Sequence, residues 1–230
     1  MKQWSRWHWG LRRGFRLKVA KLPNTPGIEA LSKLVPALHT LAAGTVLARV
    51  YYSRGPHPQS WNEFRHFGPL SSRWDHHLPD DGGRPQAQQR GIYCAAADAK
   101  TCLAEVFQDT RRIDRAFQAP WLVVFETRAR VALLDLTGDF ATRMGASMAI
   151  HSGHRGRARA WARDLYEAYP KIQGILYAAS MAGGAPAMAF NERCDTPFFP
   201  AHPSLHRALA DDMLLDPLKH AAGALGYALR

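Results

Sequence analysis

The chain has little cysteine, no long apolar run and, over its first 28 residues, no acidic side chain. Its three cysteines, Cys94, Cys102 and Cys194, form an odd set without C-x-x-C spacing. That excludes a disulfide framework, fits a reducing compartment, and leaves each thiol as a small buried apolar group. No stretch reaches the ~18–20 uninterrupted apolar residues that cross a bilayer, so no membrane span is expected. Arg12, Arg13, Arg16 and Lys18 stand where the apolar core of a signal peptide would lie, so a cytoplasmic location is expected. Several catalytic signatures are missing too. There is no G-x-x-x-x-G-K-[ST], no G-x-G-x-x-G between a strand and a helix, no G-x-S-x-G and no H-E-x-x-H. An enzyme of this sequence that handles a nucleotide must therefore hold phosphates with arginines. His76 and His77 beside Asp75, and the His151/His154 pair, are the only metal-like spacings of note. Without further ligands in register they read as loop or surface histidines, and no metal is expected.

The 230-residue chain carries a net charge of +11, unevenly spread. Lys2, Arg6, Arg12, Arg13, Arg16, Lys18 and Lys21 precede the first acid, Glu29, and are interleaved with Trp4, Trp7 and Trp9. Pro23, Asn24, Pro26 and Gly27 read as a linker, which divides the chain into a basic leader, 1–27, and a domain, 28–230. The leader has rough helical spacing and suits a partner surface, an anionic membrane surface or a poorly ordered tail. The domain itself is only mildly basic and has no nucleic-acid-reading element, so direct nucleic-acid binding is not expected.

Within the domain, Ile28, Leu31, Leu34, Val35, Leu38 and Leu41 predict an amphipathic helix ending near Gly44. Residues 45–52 predict a strand with Arg49 on the face opposite Val46, Ala48 and Val50. Residues 53–90 read as a long binding loop. Residues 91–96 read as a short strand, followed by a helix capped by Asp98 and running to about Gln108. Strands are predicted at 120–127 and 130–136 with a tight connection, then helices at 139–149 and 155–168. A strand pair at 174–180 and 185–192 turns at Gly183–Gly184, and a helix from about Asp211 to Ala222 precedes a last short strand. Strands and helices that do not alternate regularly indicate an α+β fold.

One ordered series stands out: Arg49 inside a strand; Ser71-Ser72-Arg73-Trp74-Asp75 in the loop; Gly91-Ile92-Tyr93-Cys94-Ala95; Ala104-Glu105 on a helix; and Tyr177-Ala178-Ala179-Ser180 at a strand end. The order and spacing resemble the RES domain, named for its arginine, glutamate and serine, over roughly residues 44–229. Ser71 and Ser72 stand where that family often has glycines, Asp75 where asparagine is common, and the insertion between Asp75 and Gly91 is long. The resemblance implies an ADP-ribosyltransferase-like mixed sheet with flanking helices. It further implies a toxin that consumes NAD as substrate, needs no separate cofactor, and is neutralised by an antitoxin with a helix-turn-helix module. Arg49, Glu105 and Ser180 match the catalytic residues, and Arg49, Arg73, Tyr93 and Ser180 match the NAD-binding ones.

Each match has a chemical reason. Breaking the nicotinamide–ribose bond passes through an oxocarbenium-like state, which the Glu105 carboxylate would stabilise. Arg49 and Arg73 offer paired donors to the pyrophosphate, Tyr93 an aromatic face to nicotinamide, and Ser180 a hydroxyl to its amide or to the ribose. Singly, each also has a plain structural reading: an arginine pairing with a surface acid, a solvated glutamate, a core tyrosine, a serine capping a turn. Free NAD degradation onto phosphate or water is the leading expectation. A protein ADP-ribosyltransferase is the alternative, and a nucleic-acid or membrane-binding module the non-enzymatic one. Homo-oligomerisation stays open. Because the leader lies outside the matching region, NAD turnover is expected to survive its removal.

Overall fold

The computed structural model describes residues 21–194 and 197–230. The helical spacing of the leader falls almost wholly in 1–20, outside the described residues. Nine strands form one mixed sheet: β1 (Leu38–Leu41), β2 (Val46–Tyr52), β3 (Arg65–Gly68), β4 (Gln86–Ala96), β6 (Pro120–Glu126), β7 (Val131–Asp135), β8 (Gly174–Ala179), β9 (Ala185–Asn191) and β10 (Leu205–Ala208). They run in the order β1-β7-β8-β9-β4-β2-β6-β10, with β3 paired to β4, and only β7 and β8 pair in parallel. A separate two-stranded sheet joins β5 (Arg112–Ile113) to β11 (Ala228–Leu229). The helices are α1 (Ile28–Ser32), α2 (Ala99–Val106), α3 (Phe140–Arg143), α4 (Arg155–Ala168) and α5 (Leu215–Leu225). This is the expected α+β class: a mixed sheet with flanking helices.

The sheet must bend sharply, and the connections say why. β6 and β7 are five strand spacings apart in the order, about 24 Å across a flat sheet, yet residues 127–130 joining them reach at most about 18 Å. The bend encloses one apolar cluster, with Leu47, Tyr93, Val123, Phe125, Leu133, Met188 and Phe190 on the inner face. Their alternating neighbours, including Ala48, Val50, Ile92, Leu134, Ile175 and Ala189, face outward into a second cluster. That outer face is covered by α2, α4 and α5 through residues such as Leu103, Trp161, Leu165 and Leu218. In α4, Ala158, Trp161, Ala162 and Leu165 recur at helical spacing and are buried. A core leucine of this kind stabilises the fold by roughly 1.5–3 kcal/mol.

Several expectations change. The predicted helix 28–41 is only α1, and 38–41 is the strand β1, paired antiparallel with β7. Pro36 explains the break: its ring would clash with the Ser32 carbonyl, and it disfavours helical backbone at Val35. The helical spacing was therefore coincidental, and Leu38 is left 59% exposed. The loop 53–90 contains β3, and β4 starts at Gln86 rather than Gly91. Its first half is polar on both faces, so no hydrophobic alternation marked it. β6 and β7 form as expected but do not pair with each other. The helix 139–149 is reduced to α3 and a 3-10 turn, Met148–Ile150, because Gly145 between them has φ +90. β10 was not anticipated. The linker is not free either. Leu22 is buried, and the carbonyls of Leu22 and Pro23 accept hydrogen bonds from Arg157 (2.9 Å) and Trp161 (3.0 Å) on α4.

Candidate active site

The cleft is made where the sheet comes apart. β2 pairs with β4 at a single position, Ala48 with Ala96, while β2 follows β6 over all seven residues and β4 follows β9. Past Ala48 the two strands diverge, and a cleft of about 310 Å³ opens between them. Arg49, Val50, Tyr51 and Tyr52 line one wall, Ile92 and Cys94 the other. α2 contributes Glu105 and Val106 to the lining and Gln108 follows it, while the 65–77 segment adds Arg65, Ser72, Arg73 and Trp74. The volume lies within the range of ordinary small-molecule sites. A recess of about 50 Å³ leads off it beneath Glu105, walled by Val50, Cys94, Cys102, Val106, Tyr177 and Ala187.

Arg49 is 4% exposed. Its guanidinium carbon lies 3.9 Å from the centroid of the Tyr93 ring, and Nη2 donates to Gln59 Oε1. Nη1 is buried and has no hydrogen-bond partner, and no ion pair reaches Arg49 among the described residues. A buried guanidinium without an anion is costly, and it creates a strong preference for an anionic ligand.

Glu105 sits on α2, whose first turn is held by Asp98: its Oδ1 accepts from the Thr101 amide at 2.8 Å. The Glu105 Oε1 is also buried without a partner. Burial raises its carboxyl above the ordinary value, and the charge of Arg73, the Met181 amide and the Tyr177 hydroxyl pull it only partly back. Arg73 is anchored by Nη1, which donates to the Gly153 carbonyl at 2.6 Å. Burial lowers its pKa while Glu105 raises it. Arg155, the first residue of α4, reaches the same cleft and holds Asp109 through both Nη atoms, at 2.9 and 2.7 Å.

The loop bearing Arg73 is built around Asp75, which is fully buried. Its carboxylate accepts from the Leu70 amide (2.7 Å), the His77 amide (3.2 Å), His77 Nδ1 (2.5 Å) and Arg65 Nη2 (2.7 Å). These partners drive its pKa well below the ordinary carboxylate range, against the burial that opposes them. So Asp75 and His77 form a structural pair. Among the described residues no group of three His, Cys, Asp or Glu could hold a metal ion. Cys102 and Cys194 are buried as expected of small apolar groups, but Cys94 is exposed, on the cleft wall.

The five residues singled out in the sequence are thus not all in one place. Arg49, Arg73 and Glu105 line the cleft. Tyr93 does not: it is 0% exposed, on the inner face of β4, with its hydroxyl donating to the Trp61 carbonyl at 2.8 Å. Its ring meets Arg49 and the phenylalanines around it, so the aromatic face expected for a ligand is spent on Arg49. Ser180 begins the 3-10 turn after β8 and is exposed; it does not line the cleft. It adjoins Met181, whose amide acts on Glu105. Sequence reasoning missed Gln59, Arg65, Arg155 and Tyr177, which do line the cleft. Tyr177 alone had a signal, as the first residue of the Tyr-x-x-Ser series.

A family model for the RES domain matches residues 46–212. The chain belongs to the RES domain family. Among solved structures, a chain of the M. tuberculosis MbcT-MbcA toxin-antitoxin complex is similar at 15% identity and a TM-score of 0.49, covering 84% of this chain and 96% of that one. At that distance the likeness carries no conclusion. No curated protein matches. The matched RES region begins at the first residue of β2 and takes in every cleft residue named above. No helix among the described residues is long and apolar enough to cross a membrane.

Proposed function

We propose that this RES domain binds NAD in the cleft and breaks its nicotinamide–ribose bond, passing ADP-ribose to phosphate or water. One observation carries the reading. A buried arginine donor, Arg49 Nη1, and a buried carboxylate acceptor, Glu105 Oε1, lie without partners on the walls of one cleft. Buried polar atoms without partners are rare and call for an explanation. A ligand that brings an anionic oxygen and a sugar hydroxyl satisfies both atoms, and a nucleoside diphosphate joined to ribose is such a ligand.

In the reaction, the bond from the ribose anomeric carbon to the pyridinium nitrogen breaks and its electron pair leaves with nicotinamide. The ring departs neutral and the positive charge passes to the sugar. The Glu105 carboxylate, in a desolvated wall, opposes that charge where it forms. Arg49 and Arg73 hold the pyrophosphate, and the apolar recess beneath Glu105 receives the ring as it loses its charge. Water or phosphate then attacks the same carbon, and the proton released goes to Glu105 or to solvent. Ser180 acts from the rim, through the turn that carries the Met181 amide. The family reading adds a biological role: a toxin held in check by a cognate antitoxin bearing a helix-turn-helix module.

Purified protein is incubated with NAD, with and without phosphate, and the products are identified. Nicotinamide release that falls at least 100-fold in Glu105→Gln supports the proposal; NAD left intact in both buffers overturns it. Labelled NAD marking a discrete protein band in a lysate would instead favour the transferase reading.

A further inference from the structure

Gln59 lies outside every motif of the family series, yet it is the residue that touches Arg49 in the cleft. It belongs to the segment between β2 and β3, whose two ends are tied down. The Ser53 and Arg54 amides donate to the Ala119 and Gln118 carbonyls, each at 3.1 Å, and the Gln59 amide donates to the Tyr52 carbonyl at 3.0 Å. Two residues on, the Trp61 carbonyl accepts from Tyr93. Residues 54–58 between these ties are exposed, and Gln59 turns inward at their base. Its position is therefore set by backbone bonds and not by its side chain.

The side chain does two things at once. Its Oε1 accepts from Arg49 Nη2 and so fixes the guanidinium on the Tyr93 ring with Nη1 left over. Its Nε2 makes no hydrogen bond to a described residue and belongs to a side chain that lines the cleft. A neutral amide accepts from an arginine through its oxygen and still donates beside it through its nitrogen. A carboxylate there would neutralise Arg49, and an aliphatic group would leave Nη2 as bare as Nη1.

We propose that Gln59 is a ligand-binding residue of the anion subsite, donating from Nε2 to the same phosphate oxygen that accepts from Arg49 Nη1. This rests on the reading of the cleft as an NAD site and names how its pyrophosphate is held. Arg49 contributes one charged donor and Gln59 one neutral donor, so two adjacent donors converge without a second positive charge. Contacts of this kind are made equally in substrate and transition state, so they appear in KM and not in kcat.

The test uses the full chain, with melting temperatures to verify folding of each variant. Gln59→Ala raises KM for NAD about 10-fold with kcat within 2-fold. Gln59→Glu, which keeps the size and pairs with Arg49, raises it about 100-fold. Inorganic pyrophosphate serves as a second probe, its binding measured by calorimetry: the wild type binds it, and Gln59→Glu weakens binding at least 10-fold. Unchanged KM and unchanged pyrophosphate affinity in both variants overturn the role of Gln59 while leaving the NAD reading intact. Absence of NAD turnover in a wild type that binds pyrophosphate in a Gln59-dependent way sinks the NAD reading and keeps the subsite. A fall in kcat with KM unchanged also refutes the proposal, since it points to a structural role.

Discussion

Replacing Asp75 by Ala should be among the most damaging changes outside the cleft, and its size follows from what the carboxylate holds. Asp75 is fully buried and accepts four hydrogen bonds, from two backbone amides, His77 and Arg65. The Arg65 side chain is itself only 10% exposed, so removing Asp75 strands a buried cation. Breaking one side of a buried ion pair costs about 3–5 kcal/mol. For a domain of this size each kcal/mol lowers the melting temperature by roughly 2–4 °C, giving a drop of about 6–20 °C for Asp75→Ala. The charge can be separated from the shape. Asp75→Asn keeps an acceptor for one amide but leaves Arg65 unpaired, and Arg65→Met added to it removes the stranded cation. The double variant should therefore recover at least about 1 kcal/mol over Asp75→Asn, a coupling of the size seen between contacting residues.

The pH dependence is fixed in sign. The folded-state pKa of Asp75 lies below its unfolded value. Its contribution is complete above the unfolded pKa, near 4, and is lost as pH falls toward the folded value. Urea denaturation at pH 7 and again between pH 4 and 2.5 measures this: the gap between wild type and Asp75→Ala should close in acid. A loss under 1 kcal/mol at pH 7, or a gap that widens in acid, refutes the reasoning.

Three further outcomes are expected. Glu105 has a raised carboxyl, so its ionised form destabilises the fold: Glu105→Gln should cut turnover at least 100-fold yet melt higher than wild type at pH 8, with the difference shrinking as pH falls and the carboxyl takes up its proton. For Tyr93, the ring is the working part: Tyr93→Phe should keep KM within 3-fold and lose about 1 kcal/mol with the bond to Trp61, whereas Tyr93→Leu should raise KM about 10-fold by removing the face under Arg49. Removal of 1–20 should leave turnover at the wild-type level, while a cut at 27 also takes Leu22 and Pro23 off α4 and should lower the melting temperature by several degrees.

Local chemistry was legible in the sequence, and long-range pairing was not. Asp98 announces α2 because the cap and the Thr101 amide it holds are only three residues apart. β8 and β9 announce themselves because apolar strands meet at a glycine turn. β1 carried a spacing that suits a helix, and only the edge of β7 makes it a strand. The strands at 120–126 and 131–135 have the tight connection expected of them, but the bend of the sheet sends them to different partners, which their closeness in sequence does not reveal. The site follows the same division. Arg49, Arg73 and Glu105 were found through their order in the chain, whereas Gln59 and Arg155 have no sequence signal because loop closure and a helix start bring them in.

Tyr93 shows most clearly why a matched residue need not touch a ligand. On β4 the side chains alternate, and apolar residues stand on both faces of its second half, so composition cannot tell which face the cleft opens on. Cys94 takes the cleft side and Tyr93 the inner side, where it packs against Phe125, Phe198 and Phe199. Arg49 occupies the corresponding inner position of β2 and reaches the cleft only because β2 and β4 separate after Ala48. An arginine long enough to lie across that opening needs a surface beneath it that neither competes for its charge nor yields to solvent. An aromatic ring held by its own hydroxyl meets both conditions. The tyrosine thus serves the site by positioning the arginine, and the split between the two strands is what makes the pair necessary.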